Sequence, residues 1–357
     1  MKLVVLGLSL SSSWGNGHAT TYRALLKAFA ERGHAVSFLE RDQPWYAEYR
    51  DLAAPNWCRL LLYADTAALD AHRVEIAVAD AVIVGSYVAD GPAIIAKVQA
   101  WAHGVAAFYD IDTPVTLAKL AAGDHDYIVP ENVPGFDLYF SFTGGPTLET
   151  LEHRWGAQQA QALYCSVDPA LYPALQVPER YALSYLGTYS PDRQPALEAL
   201  LIAPARARAD LRFAVAGPLY PANIDWPANV ERIEHLPPPQ HAAFYAASRC
   251  TLNVTRADMR AAGWSPSVRL FEAAACARPI VSDRWPGLDT LFAPDREILM
   301  ADTTDQVLAA LDRPDLVAIG QAARARVLAE HTAVHRAAEL ETALTTFARR
   351  QPRAANA

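Results

Sequence analysis

The sequence predicts an α/β protein of two Rossmann-like domains, each a parallel sheet covered by helices, facing each other across a cleft. Three observations carry this expectation. The chain has 357 residues, enough for two separate cores. Short apolar runs bounded by loops alternate with helical stretches in both halves, which is how strands buried on both faces read. A Pro-containing connector at Ala162–Pro173 interrupts the pattern once, and the pattern then restarts. The first domain is expected over 1–172 and the second over 173–332, with a C-terminal helix at about 333–350 rejoining the first.

In the first half, Lys2–Leu8 reads as a strand, Ser9–Gly17 as a polar loop and Ala19–Arg32 as a helix ended by Gly33. Strands follow at Ala35–Leu39, Ala81–Gly85 and Val105–Tyr109, with a helix at Pro92–His103. Two more short strands are expected at Asp126–Val129 and Leu138–Phe142. In the second half, strands are expected at Ala182–Leu186, Arg212–Ala216, Val230–His235, Cys250–Val254 and Ile280–Ser282. A helix is read at Gln240–Ala247, and two more fill Leu316–Arg349. Facing sheets of this kind bind ligands beyond the carboxyl ends of their strands.

Composition narrows the function classes. A net charge of -8 argues against nucleic acid and against an anionic membrane surface, both of which require clustered Lys and Arg. No apolar stretch is long enough to span a bilayer. Cys58, Cys165, Cys250 and Cys276 have neither metal-ligand nor redox spacing, so they read as reduced core thiols of a cytoplasmic protein. Oligomeric state is not legible.

The segment Gly263–Ser282 is the most informative. Ser265 suits an N-cap, Pro266 the first helical position and Pro279 the stop. Val268, Phe271, Ala274 and Ala275 mark an apolar face, while Arg269 and Glu272 share another, one turn apart. A helix start at Ser267 attracts a phosphate, and Arg269 adds a two-pronged donor. Glu272 is too negative to sit beside a diphosphate, but its oxygens suit a ribose diol. An ordinary surface Arg–Glu pair fits the same residues.

Other candidates sit at expected strand ends. In Ser12–His18, Gly15 and Gly17 flank Asn16 and permit close backbone approach, but the Rossmann fingerprint is absent. His18 follows, either as a site residue or in a capping turn. Asp110 and Asp112 lie beyond Val105–Phe108. Such a pair suits a metal-bound diphosphate; a second α/β half with its own phosphate helix argues instead for active-site carboxylates without metal. Alternation along an extended segment points both carboxylates to one side, and Asp112 also fits a helix cap. Gly187, Thr188 and Arg193 form a turn that can receive a diphosphate. Gly217 ends the Arg212–Ala216 strand and His235 ends the Val230 strand. Gly85–Tyr87 and Gly144–Gly145 fit either acceptor loops or plain turns.

Several of these segments carry a family resemblance. Leu186–Tyr189, Ala214–Pro218, Glu234–Leu236, Arg269–Cys276, and Glu330–Thr332 with Arg336 together resemble GT-B glycosyltransferases. The second half is similar to the CgeB-like, group-1 type related to family four. The first half matches only in layout. The resemblance implies transfer of a sugar from a UDP, GDP or dTDP sugar to an acceptor hydroxyl, without metal or other cofactor and with retention of configuration. It implies that Glu272 binds the donor ribose, that the Ser12–His18 loop faces the donor phosphates, and that His235 lies near the nucleobase. Arg193, Arg269 and Ser267, with the turns at Gly187, Thr188 and Gly217, would hold the donor. Family-four enzymes usually carry a further Glu eight residues before this one, where this chain has Trp264. A saccharide of a surface polysaccharide, a glycolipid or a small molecule all fit as acceptor. A nucleotide-sugar epimerase or hydrolase on the same fold, or a non-catalytic nucleotide-sugar binder, remains an alternative.

Overall fold

The computed structural model describes residues 1–14 and 17–350. It divides into two compact units, Met1–Cys165 with the chain from Ala333 onward, and Ser166–Thr332. The crossing falls before residue 172 because Val167 already pairs with Thr332 in a parallel bridge of the second unit.

The first unit is built on seven parallel strands: β1 (Lys2–Gly7), β2 (Ala35–Arg41), β3 (Arg59–Tyr63), β4 (Ala81–Gly85), β5 (Val105–Asp110), β6 (Leu138–Ser141) and β7 (Ala160–Ala162). Their order is β3-β2-β1-β4-β5-β6-β7. Every residue of β4, β5 and β6 is buried, as expected of parallel strands covered on both faces. The Ala333–Arg350 helix packs against the His18–Glu31 helix. It buries Ala337, Leu340 and Leu344, and Glu341 pairs with Arg32.

The second unit holds β8 (Tyr181–Leu186), β9 (Phe213–Ala216), β10 (Val230–Ile233), β11 (Ser248–Asn253), β12 (Ile280–Ser282) and β13 (Leu299–Met300). All are parallel, in the order β10-β9-β8-β11-β12-β13. In both units the strand order reverses beside the first strand, between β1 and β4 and between β8 and β11. Such switch points splay the loops at the carboxyl ends and open a binding crevice.

Some elements differ from the sequence reading. Asp126–Val129 is a loop, not a strand; Tyr127 and Ile128 are apolar because they plug the core from it. The strands β7 and β13, three and two residues long, are too short to be read from sequence, and β3 is a further strand that the sequence reading does not include. β10 stops at Ile233, leaving His235 in a loop. Among the described residues no helix is long and apolar enough to cross a membrane. All four cysteines are buried, and burial pushes the thiols of Cys58, Cys250 and Cys276 up to about 12.

Leu340 is fully buried on the returning helix. Leu340→Ala is expected to destabilise the first unit by about 2–5 kcal/mol, read as an earlier urea midpoint.

Candidate functional site

In the second unit Gly187, Thr188, Arg193, Ser267 and Arg269 come to the β8/β11 switch point, with Glu272 one turn along the helix, whereas His235 lies past the edge strand β10. That helix runs Val268–Ala275 with Ser267 as N-cap residue, so Ser265 and Pro266 precede it. The Ser267 hydroxyl does not cap the helix; it donates to Asn253 Oδ1 at 2.7 Å. Arg269 donates to the same oxygen at 2.9 Å and, through Nε, to the Leu186 carbonyl. It therefore links the last residues of β8 and β11, the two strands that flank the crevice. Its guanidinium lies 4.8 Å from the Tyr185 ring centre. Only two of its five N–H donors are used in these bonds, so others remain for a ligand.

Arg193 joins it from the loop after β8. Its Nη2 donates to the Thr188 carbonyl at 2.6 Å, while Nε is buried without a hydrogen-bond partner. Burial lowers the pKa of this guanidinium, and the positive charges of Arg269 and Arg256 lower it further. Cations held near one another against their own repulsion suit an anion bound among them.

Glu272 lies one turn beyond Arg269 and is buried. Its Oε1 accepts from the Tyr172 hydroxyl at 2.7 Å and its Oε2 from the Tyr245 hydroxyl at 3.0 Å. A carboxylate has about four acceptor positions, so two tyrosines fix its orientation and leave capacity for a diol. Sequence reasoning missed Tyr172, Tyr245 and Asn253. The only local signal was Asn253, a polar residue closing an apolar strand.

The glycine turns are pressed together here. Gly187 N donates to the Ala216 carbonyl at 2.8 Å. A Cβ on Gly217, whose φ is +143°, would come 2.1 Å from the Gly187 carbonyl oxygen. Thr188 is exposed, with its carbonyl held by Arg193. His235 is exposed two residues past β10. Trp264 occupies a left-handed conformation, φ +42°, and donates its N–H to the Pro286 carbonyl at 2.7 Å.

In the first unit, Gly17 is the N-cap residue of the His18–Glu31 helix; Gly15 and Asn16 lie outside the described residues. His18 is buried in the first turn, with Nε2 3.1 Å from Asp112 Oδ2. The Tyr87 ring meets the imidazole edge-on at 5.4 Å. Asp112 keeps a quarter of its side chain exposed (26%), so it is the member of the pair that meets solvent.

Asp110 departs from the expected shared side. It ends β5 fully buried, with Oδ2 accepting from Tyr139 at 2.7 Å and Oδ1 from Thr116 at 2.7 Å. The chain leaves the extended conformation after Asp110, and Asp112 has φ -126° and ψ +44°, so strand alternation no longer applies. Asp112 also makes no side-chain cap of the helix it precedes. Among the described residues no group of three or more His, Cys, Asp and Glu side chains could hold a metal ion.

Residues 193–342 match the model of a family described as glycosyl transferase-like. A sequence comparison with curated proteins finds no match. Among solved structures, sucrose-phosphate synthase from Thermosynechococcus elongatus aligns with a TM-score of 0.74 at 14% identity, over 98% of this chain and 100% of its own. The Anabaena protein HepE, solved with UDP and glucose, aligns at 0.70 and 13% identity over 97% and 100%. An alpha-glucosyltransferase solved with UDP aligns at 0.69 and 12% identity over the same shares, 97% and 100%. The fold is that of the GT-B glycosyltransferases.

Burial raises the Asp110 carboxyl to about 6, above the ordinary 3.8 of an unfolded aspartate. A carboxyl raised on folding binds its proton more tightly in the native state, so its contribution falls as pH rises from about 4 through about 6. Asp110→Asn is expected to remove this slope. Relative to the wild type, the variant gains about 2–3 kcal/mol between pH 4 and pH 7, measured by urea unfolding at each pH.

Proposed function

We propose that this chain, a glycosyltransferase of the GT-B fold, moves a sugar from a nucleotide-diphosphate sugar to an acceptor hydroxyl without a metal ion. One observation carries the reading: two arginines meet at the switch point of the second sheet, with an oriented carboxylate one helical turn away. Arg193 and Arg269, with the helix start at Ser267, take the diphosphate. Glu272, aimed by Tyr172 and Tyr245, accepts from the ribose hydroxyls. The distance from phosphate to ribose matches the rise of one turn, about 5 Å. The bound UDP of HepE and of the alpha-glucosyltransferase supports a nucleotide donor of this kind.

The chemistry follows from charge. As the bond between the anomeric carbon and the diphosphate oxygen breaks, negative charge grows on the leaving group. Fixed cations stabilise that charge without reorganising. In the first unit, Asp112 receives the acceptor proton as the acceptor oxygen bonds to the anomeric carbon, and His18 orients the carboxylate. Asp110 braces the turn through its bond to the Asp112 N–H, 3.3 Å long.

Retention of configuration is the outcome carried by the family resemblance. The His18–Asp112 pair favours a second outcome, inversion, because a base that deprotonates the attacking hydroxyl serves a single direct displacement. The proton coupling constant at the product's anomeric carbon decides between them.

A thermal-shift series with UDP, GDP and dTDP tests the donor site, since a ligand preferring the native state raises the melting point. One nucleotide is expected to stabilise the wild type, Glu272→Ala to abolish the shift, and Arg193→Ala to reduce it. Glu272→Gln, which keeps the shape and one acceptor oxygen for one tyrosine while its amide N–H can donate to the other hydroxyl, separates lost ribose binding from lost folding. An unchanged shift in both Glu272 variants removes the ribose assignment.

Asp112→Asn is expected to lower kcat for transfer by roughly 10²–10⁴-fold while the nucleotide still stabilises the protein. Stopped-time release of nucleoside diphosphate in the presence of acceptor sugars measures it, and wild-type turnover in the variant rules out the base.

A further inference from the structure

Three exposed aromatic side chains stand at the carboxyl end of the first sheet. Trp14 is 47% exposed, Tyr49 49% and Trp45 53%. The rings of Trp14 and Tyr49 lie parallel, with centroids 4.8 Å apart and planes 10° from coplanar. Trp14 belongs to the loop after β1; Trp45 and Tyr49 belong to the segment after β2. In a parallel sheet these segments emerge at the same end as the turn after β5, which carries Asp112.

Large exposed aromatics in mobile loops are ordinary, but these two segments are bolted down. The buried Glu40 at the end of β2 accepts from Leu10 N at 2.6 Å, Ser11 N at 2.8 Å and the Ser11 hydroxyl at 2.6 Å. The Ser11 carbonyl receives Asp51 N and Leu52 N, and the Ser12 hydroxyl donates to the Tyr49 carbonyl at 2.8 Å. Asp51 accepts from Ser13 through both N and Oγ and pairs with Arg23, which also donates to the Leu10 carbonyl. These bonds hold apolar ring surface in water, an arrangement that marks a binding surface when it is contiguous.

We propose that the stacked pair Trp14 and Tyr49 forms a platform for a saccharide acceptor. The inference rests on the glycosyltransferase reading and names the class of the second substrate. The rim decides the class. Asp42, Glu48, Arg50 and Asp51 lie in the same segment as Trp45 and Tyr49, and Arg50 pairs with Asp42 and donates to the Ser11 hydroxyl. A pyranose offers a flat face of axial C–H groups to an aromatic ring and equatorial hydroxyls to planar carboxylates and guanidinium groups. An acyl chain would be left against these charges, which cost free energy to desolvate. Three carboxylates against Arg23 and Arg50 give no surplus of positive charge, so an anionic acceptor has no counter-charge here.

Saturation-transfer difference NMR on the full chain tests this with methyl β-D-glucopyranoside, cellobiose and, as an apolar probe, hexanol. The wild type is expected to saturate the pyranoside ring C–H protons. Trp14→Ala and Tyr49→Ala are expected to reduce that saturation at least fivefold, and Tyr49→Phe, which keeps the ring, to restore it. Equal saturation in the wild type and the alanine variants overturns the platform. So does saturation of hexanol alone, or of no probe. The UDP thermal shift, run on the same samples, reports on the second unit. Loss of that shift with pyranoside saturation intact counts against the donor reading and leaves the platform standing. A normal shift without saturation counts against the platform alone.

Discussion

The proposed donor site depends on one side chain that ties two strand ends together. At the β8/β11 switch point the adjacent crossovers leave in opposite directions. Arg269 spans it, donating to the Leu186 carbonyl at one end and to Asn253 at the other. Asn253 in turn donates to Ser282 at the end of β12 and to Thr255 in its own loop. The cation that would meet a diphosphate is therefore also a structural member of the sheet edge. Its position is set before any ligand arrives, which is the condition for electrostatic stabilisation without reorganisation.

Buried carboxylates perform the matching task for the loops. Glu40 gathers two backbone N–H groups and two hydroxyls of the loop after β1. Asp283 accepts from the Thr255 N–H and hydroxyl after β11, and burial raises its pKa. Removing such an acid from water is costly unless several donors replace the lost hydration. Each of these is well supplied, and each lies at the carboxyl end of its sheet. The loops are thus fixed by polar contacts where a core of apolar side chains would close the crevice. Glu272 follows the same rule with two tyrosines as donors, but it retains lone pairs that a ligand hydroxyl can occupy.

Much of the layout was legible because it is local. Alternating apolar runs and helices placed both sheets, and the three-residue spacing of Arg269 and Glu272 placed both groups along one helix. What could not be read depends on distant partners. Tyr172 stands 100 residues before Glu272, and no local pattern distinguishes it from any other tyrosine. The helix start moved from Pro266 to Val268, and the Ser267 hydroxyl at the cap position is bonded instead to Asn253, fourteen residues away. Asp110 and Asp112 looked equivalent in sequence, yet the end of β5 lies between them. Burial falls on one and solvent on the other, so a shared motif divides into a brace and a solvent-facing carboxylate.

Trp264 shows how a departure from the family pattern can be absorbed by backbone geometry. The residue takes a left-handed φ, an unfavourable conformation for a bulky side chain. Gly263 before it has φ +67°, and a Cβ there would come 2.7 Å from the Pro286 carbonyl oxygen. The indole lies over Gly287, where a Cβ would sit 2.4 Å from its ring carbons. Two glycines therefore make room for the strained tryptophan, which the Pro286 carbonyl anchors through its N–H. The ring is thereby fixed by its own backbone and by the two glycines beside it.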